Sequence, residues 1–147
     1  MAYVRPARIE ELDHLVQLLR LLFTIEEDFT VDTEKQRRGL RLLIDNDRAC
    51  VMVAEEAGKV IGMCTGQLVI STAEGGPSVL VEDVVVAPQY RGQGVGRALM
   101  DGLTGWATAQ GATRMQLLAD RNNPPALAFY CRLDWMSTAL ICLRRFI

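Results

Sequence analysis

The 147-residue sequence predicts a single α/β domain. Apolar residues at helical spacing alternate along the chain with β-branched runs that are typical of strands. The predicted elements follow the order β-α-α-β-β-β-α-β-α-β, with a short final strand. Half of the residues are apolar and 23% are charged, which is the composition of a folded domain, and the length suffices for one sizeable core.

The first third of the chain predicts an edge strand followed by two helices. Residues 3–7 form a short candidate strand that Pro6 weakens, so we expect it at a sheet edge. Apolar residues recur at helical spacing over 8–23, and a second helix starts at Asp32 or Thr33 and runs to about Asn46. His14 is the single histidine of the chain, and its polar neighbours on the helix face predict that it points to water.

The middle of the chain predicts an antiparallel meander of three strands. Residues 50–55 and 59–70 read as strands joined by a hairpin turn at 56–58. A surface loop over 71–78 leads into the third strand, 79–86. Gly62 and Gly66 interrupt the second strand, and we expect bulges or close packing there.

The last third predicts two helices and two or three strands. The helix after the third meander strand ends near Gln110, with Gly111 as its C-terminal cap. Residues 113–119 alternate as a half-buried strand, and 120–125 form a turn. A helix that starts at Pro124 or Pro125 runs to about Arg132 or Leu133. The tail from 135 to 146 is predicted to form one or two closing strands.

Composition excludes several classes of function. The formal net charge of −2 and the pI near 5.4 lack the basic footprint of a nucleic-acid binder. No stretch approaches the length of a membrane span or of a signal peptide, so we expect cytoplasmic residence and no membrane partner. Four widely spaced cysteines and one histidine predict reduced thiols and no metal site.

A glycine-dense loop lies between the strand that ends at 86 and the helix that follows. A tight turn into a helix leaves backbone N–H groups unpaired, with the positive end of the helix dipole behind them, which favours a phosphate or pyrophosphate. A merely flexible surface loop is the alternative. The dinucleotide fingerprint Gly-x-Gly-x-x-Gly needs a glycine three residues after Gly94, where this chain has Arg97. A Walker loop needs a lysine, and this loop contains none.

Two segments resemble the acetyl-CoA signatures of the GNAT superfamily of N-acetyltransferases. The first is Arg91-x-x-Gly94-x-Gly96, and the second is Asn123-x-x-Ala126-x-x-Phe129-Tyr130. The resemblance implies one GNAT domain over residues 1–147, with a mixed, mostly antiparallel sheet of six to seven strands and about four helices. The family usually has Gly-Phe where this chain has Asp134-Trp135, and aspartate tolerates the left-handed conformation of such a glycine.

The resemblance also implies roles for individual residues. Tyr130 would be the general acid, and Glu82 is the first choice and Asp83 the second for the base. Adjacent strand residues face opposite sides, so only one of the two carboxylates can reach the acceptor unless a bulge re-aims it. The residues implied to hold acetyl-CoA are Val84, Val85 and Val86 through their backbone, Arg91, Gly92, Gln93, Gly94, Val95, Gly96 and Arg97 around the pyrophosphate, and Asn123, Ala126, Phe129 and Tyr130.

The acceptor site is expected in the variable wall formed by the first two helices and their connection. Phe23, Glu26, Glu27 and Phe29, together with the neighbouring Asp28, are the candidates. Clustered carboxylates suit a cationic amine, although a solvated acidic loop is the other interpretation.

The predicted function is therefore transfer of an acetyl group from acetyl-CoA to a primary amine by direct attack. The acceptor would be a small molecule or a peptide. The alternative is a non-catalytic acyl-CoA-binding sensor or interaction module on the same fold. Members of the superfamily often pair through sheet edges or C-terminal strands, which makes a homodimer a further expectation.

Overall fold

The computed structural model describes residues 2–25 and 30–147, which divide at Leu117 into two compact units. The first unit holds the sheet. Its elements are β1 (Tyr3–Pro6), a short 3-10 turn (Ile9–Glu11), α1 (Leu12–Ile25), α2 (Thr33–Ile44), β2 (Ala49–Glu56), β3 (Lys59–Ser71), β4 (Gly76–Val86), a second 3-10 turn (Pro88–Tyr90), α3 (Val95–Ala109) and β5 (Met115–Leu117).

The strands form one mixed sheet in the order β1-β2-β3-β4-β5. The first four strands are antiparallel to their neighbours, and β5 runs parallel to β4. The α/β class and the antiparallel meander are confirmed, and β1 lies at the edge as predicted. The described residues contain five strands, so the expected six to seven is wrong.

The missing strands are those expected in the tail. Residues 135–147 form no helix or strand, because an apolar pattern alone does not supply the backbone partner that a strand needs. The predicted strand over 113–119 is also shorter, since only Met115–Leu117 pair with β4. The large apolar residues exposed in this tail are Met136, Leu140, Ile141, Leu143, Phe146 and Ile147.

Most connections follow the local chemistry of the sequence. Ala57 and Gly58 both adopt positive φ in the β2–β3 hairpin, at 51° and 77°. The Asp32 carboxylate caps α2 by accepting a hydrogen bond from the Lys35 amide at 3.2 Å. Strand β4 begins three residues earlier than predicted because Gly76, Pro77 and Ser78 pair with the end of β3.

The helices of the first unit cover both faces of the sheet. Helices α1 and α2 pack on the face of Val53, Met63 and Val85, in the main apolar core. Helix α3 packs on the opposite face, where a Cβ built on Gly66 would lie 2.9 Å from the Cδ1 atom of Leu103. The close packing predicted at the strand glycines is therefore confirmed. No helix among the described residues is long and apolar enough to cross a bilayer.

The second unit, Leu118–Ile147, contains the helix α4 (Pro124–Arg132). Asn123 is its N-cap, and Pro124 occupies the first helical position, where a missing N–H costs nothing. Both bounds agree with the prediction.

Candidate active site

The glycine loop ends in an N-terminus of α3 that no side chain of the described residues caps. Gly94 is the N-cap residue with φ at 84°, and Gly92 has φ at 73°. A Cβ placed on either glycine would meet open space. Glycine is therefore needed at both positions for backbone conformation, and the surface above them is clear.

The amides of this loop are uncommitted. Within the described part of the chain, the first backbone amide after Arg91 that donates a hydrogen bond is that of Ala98, to the Gly94 carbonyl at 3.0 Å. The amides from Gly92 to Arg97 lie at the positive end of a fifteen-residue helix. Such an array of free donors fits a pyrophosphate.

Two side chains connect the loop to the end of β4 and to the 3-10 turn that follows it. The Arg91 Nε donates to the Val86 carbonyl at 2.8 Å, and the Gln93 Nε2 donates to the Gln89 carbonyl at 3.1 Å. The Arg91 side chain therefore fixes the entry to the loop. It also engages the Val86 carbonyl, one of the backbone groups that the resemblance assigns to the cofactor.

Among residues 2–25 and 30–147, no strand pairs with one edge of the C-terminal half of β4. Strand β5 pairs with Val79–Val81 only, whereas β3 continues to pair with Val85 and Val86 on the opposite edge. The backbone from Glu82 onward on the β5 side therefore offers polar groups that an extended ligand can bind.

A β-bulge lies in β4 at the predicted catalytic carboxylates. Met63 pairs with Val85 and Thr65 with Glu82, so two residues of β4 oppose Cys64 alone. Asp83 adopts φ of 55° there. Successive side chains of β4 therefore do not alternate strictly between the two faces of the sheet here, as expected where a bulge re-aims a side chain.

The bulge gives the two carboxylates different surroundings. Glu82 is exposed, whereas Asp83 is half-buried. The Thr65 hydroxyl lies 3.4 Å from Asp83 Oδ2 and 3.1 Å from the Glu82 carbonyl. Sequence reasoning did not single out Thr65, because its contact depends on the register between β3 and β4, which no local pattern reports.

The neighbouring thiols are unsuited to nucleophilic chemistry. Burial raises the pKa of Cys50 to about 11. Burial raises the pKa of Cys64 further, and the nearby Cys50 and Asp83 add to the effect. Both residues are therefore packing thiols, as predicted. In residues 2–25 and 30–147, no group of three His, Cys, Asp or Glu side chains is arranged to hold a metal.

The second unit carries the predicted general acid on α4. Tyr130 is half-buried, and its ring meets those of Phe129 and Trp135 edge to face, with centroid distances of 5.1 and 5.7 Å. The Asn123 side chain accepts a bond from the Ala126 amide at 3.4 Å. Asn123 and Ala126 thus also stabilise the start of the helix that carries Tyr130.

Asp134-Trp135, which stands where the family usually has Gly-Phe, forms the end of α4. Asp134 takes φ of 66°, which confirms the left-handed conformation predicted for it. Its amide donates to the Cys131 carbonyl, and the Trp135 amide donates to the Tyr130 carbonyl. This is the Schellman pattern, in which Trp135 packs on Tyr130 as the accompanying apolar contact.

The acceptor-wall residues are only partly within the described structure. Phe23, near the end of α1, is half-buried and packs against the main core. Glu26, Glu27, Asp28 and Phe29 lie outside the described residues. His14 is exposed, as predicted.

A loop of free amides at the N-terminus of a helix is a geometry suited to a phosphate-bearing ligand, and here the loop follows a bulged strand. The sequence profile of the Acetyltransferase (GNAT) family matches residues 12–135, and the chain belongs to this family. It is an acyltransferase, and the prediction of acetyl-CoA as its acetyl donor is confirmed.

A curated relative is similar to this chain in sequence, and two solved structures share its fold. The chain is 27% identical over 129 residues to a candidate ribosomal protein bS18-alanine N-acetyltransferase of Bacillus subtilis, covering 88% of this chain and 77% of that one. A "predicted acetyltransferase with acetyl-CoA" from Clostridium acetobutylicum superposes with a TM-score of 0.80 at 19% identity, over 99% of this chain and 96% of the other. An aminoglycoside N-acetyltransferase, AAC(6')-Iy in complex with CoA, gives 0.85 at 19% identity, over 99% and 95%.

Proposed function

We propose that this acyltransferase moves the acetyl group of acetyl-CoA to a primary amine, with the pyrophosphate bound by the loop from Gly92 to Arg97. The observation that carries the cofactor assignment is the set of uncommitted amides at the N-terminus of α3. Gly92 and Gly94 leave clear space above these amides, which an anion needs in order to approach them.

The pantetheine arm is assigned to the open edge of β4. Val84, Val85 and Val86 lie beyond the last residue that pairs with β5. Their contribution is made by the backbone, so apolar side chains at these positions are compatible with it. Bound here, acetyl-CoA supplies an activated thioester carbonyl that an amine can attack.

The base is assigned to the β4 bulge. An amine is protonated at neutral pH and must lose a proton before it can attack, and a nearby carboxylate can accept that proton directly or through water. Asp83 takes precedence over Glu82 because its carboxylate is half-buried and contacts the Thr65 hydroxyl. Exposed Glu82 remains the second candidate.

Tyr130 is assigned as the general acid. A phenol can donate its proton to the departing thiolate and regain one afterwards. Its two edge-to-face ring contacts and the Schellman pattern after it restrict its position on α4. Asn123, Ala126 and Phe129 complete the second cofactor segment through the same helix.

The acceptor is assigned by class only. The names of related proteins include alanine of ribosomal protein bS18, streptothricin, aminoglycosides and glucosamine 6-phosphate as acceptors, and each of these compounds can present a primary amine. Phe23, Glu26, Glu27 and Phe29 are proposed as its wall. Cytoplasmic residence and homodimer formation stay predictions, and analytical ultracentrifugation would test the second.

The first experiment is calorimetric titration of the chain with acetyl-CoA, followed by the same titration of Gly94→Glu. We expect micromolar binding that the variant loses, because a carboxylate then stands where the pyrophosphate binds. Gly111→Glu is the matched control, since Gly111 has nearly the same φ, 82° against 84°, at the other end of α3. Equal loss in both variants would contradict the assigned loop.

The second experiment tests acetyl transfer by thiol release with four amines. They are a peptide that begins with alanine, streptothricin, an aminoglycoside and glucosamine 6-phosphate. Tyr130→Phe should lower kcat, since the phenol proton is lost, by a larger factor than it weakens acetyl-CoA binding, because the ring stays in place. Unaltered kcat in this variant would remove Tyr130 from the mechanism, and cofactor binding without transfer to any amine would contradict the proposed reaction.

A further inference from the structure

Thr65 occupies a buried position beneath the β4 bulge. Its side chain is 1% exposed. The preceding Cys64 faces α3, where its thiol donates to the Leu99 carbonyl at 3.8 Å. Because successive strand side chains alternate, Thr65 faces the side of the sheet that α1 and α2 cover.

A single hydroxyl proton serves two acceptors at this point. The Thr65 Oγ1 lies 3.1 Å from the Glu82 carbonyl oxygen and 3.4 Å from Asp83 Oδ2. The first contact fixes the backbone at the start of the bulge, and the second reaches the carboxylate. Thr65 therefore touches both the strained segment and its charged group, although it belongs to a different strand.

The conformation of Asp83 needs such support. Its φ of 55° lies in the left-handed region, which aspartate tolerates better than most residues but which still costs free energy that the surroundings must offset. The ladder between β3 and β4 is interrupted at this residue, so regular pairing does not fix its direction. The hydroxyl of Thr65 supplies a fixed partner where the ladder does not.

We propose that Thr65 is a positioning residue for acetyl transfer, which holds the Asp83 carboxylate in the direction from which it deprotonates the amine. This inference rests on the proposed role of Asp83 as the base. In that step an N–H bond of the ammonium breaks and an O–H bond forms on Asp83. The ammonium becomes a neutral amine and the carboxylate becomes a neutral acid.

The test compares Thr65→Val with Thr65→Ser, using whichever of the four amines is turned over fastest. Valine keeps the volume and removes the hydroxyl, whereas serine keeps the hydroxyl. We expect kcat to fall about tenfold in Thr65→Val, the size of effect that loss of one hydrogen bond to a charged group produces. Thr65→Ser should recover kcat to within about threefold, and the acetyl-CoA dissociation constant should stay unchanged in both.

A double-mutant cycle with Asp83→Asn then shows whether Thr65 acts through Asp83. Asparagine keeps the size of the side chain and tolerates positive φ. We expect Thr65→Val to have no further effect on kcat once Asp83→Asn is present, since the carboxylate it orients is gone. If Thr65→Val and Asp83→Asn lowered kcat by factors that multiply in the double variant, the inference would be overturned. Wild-type kcat in Thr65→Val alone would also overturn it.

Failure of the proposed base is distinguishable from failure of this inference. Wild-type kcat in Asp83→Asn alone would show that Asp83 is not the base, whatever Thr65 does. If Thr65→Val does not fold, as judged by circular dichroism, Thr65→Ala replaces it in the same cycle. Thr65→Ser remains the comparison, so a merely structural effect of lost volume is separated from loss of the hydroxyl.

Discussion

Replacing the buried polar side chain of Gln36 by an apolar one should stabilise the fold. This α2 residue is 8% exposed, and both its side-chain oxygen and nitrogen are buried without a hydrogen-bond partner among the described residues. A buried polar group that lacks a partner costs roughly 1–3 kcal/mol. Gln36→Met keeps the length and the helix propensity and removes both polar atoms.

We therefore expect the free energy of unfolding of Gln36→Met to rise by about 1–3 kcal/mol. For a chain of this length, the melting temperature should rise by roughly 3 °C per kcal/mol. Thermal and urea unfolding followed by circular dichroism would measure the change, with an unchanged urea m-value.

The matched control for this prediction is Gln17→Met. Gln17 lies on α1 and is exposed, so its amide is solvated and the same substitution should change stability by less than about 0.5 kcal/mol. Equal effects in the two variants, or a loss of stability in Gln36→Met, would refute the reasoning. It would mean that the Gln36 amide gains as much from its surroundings in the folded protein as it does from water.

Two further predictions concern stability. Gly66→Ala should lower the free energy of unfolding by about 1–3 kcal/mol, because the new methyl group would press on α3. Gly105→Ala, whose methyl group meets open space on that helix, should raise it by about 0.5–1 kcal/mol. Urea unfolding would measure both changes. Hydrogen bonds from Arg5 lower the pKa of Glu11, so Glu11 stabilises the fold above its unfolded pKa of about 4.3 and loses this contribution as the pH falls. Glu11→Gln should flatten the loss of stability between about pH 5 and 3, and an unchanged slope would contradict this.

The parts of the site that could be predicted from sequence are those built by local chemistry. A strand, alternating glycines and an amphipathic pattern identify the tight loop before α3, because positive φ at Gly92 and Gly94 is a conformation that glycine itself permits. The same holds for Gly111 and Asp134, whose positive φ ends α3 and α4. Each feature spans a few residues, and so a short pattern can report it.

The parts that sequence could not supply depend on pairing between distant segments. The bulge at Asp83 exists because Met63 and Thr65 pair with residues three apart in β4, and neither strand alone signals that offset. The three-residue length of β5 likewise follows from its pairing with Val79–Val81. The tail failed as a prediction for a related reason, since its apolar residues resemble strand residues without having a partner.

The glycine loop is fixed by contacts to the end of β4 and to the turn that follows it. Conformational freedom lost on binding reduces affinity, and a loop already fixed by its own contacts loses less. Here the fixing contacts are made by the side chains of Arg91 and Gln93, to the carbonyls of Val86 and Gln89, and they use none of the amides from Gly92 to Arg97. The loop can therefore be rigid while its donors stay available. At Gly92 and Gly94 the glycine residues permit the positive φ angles of the loop and leave open space above its backbone.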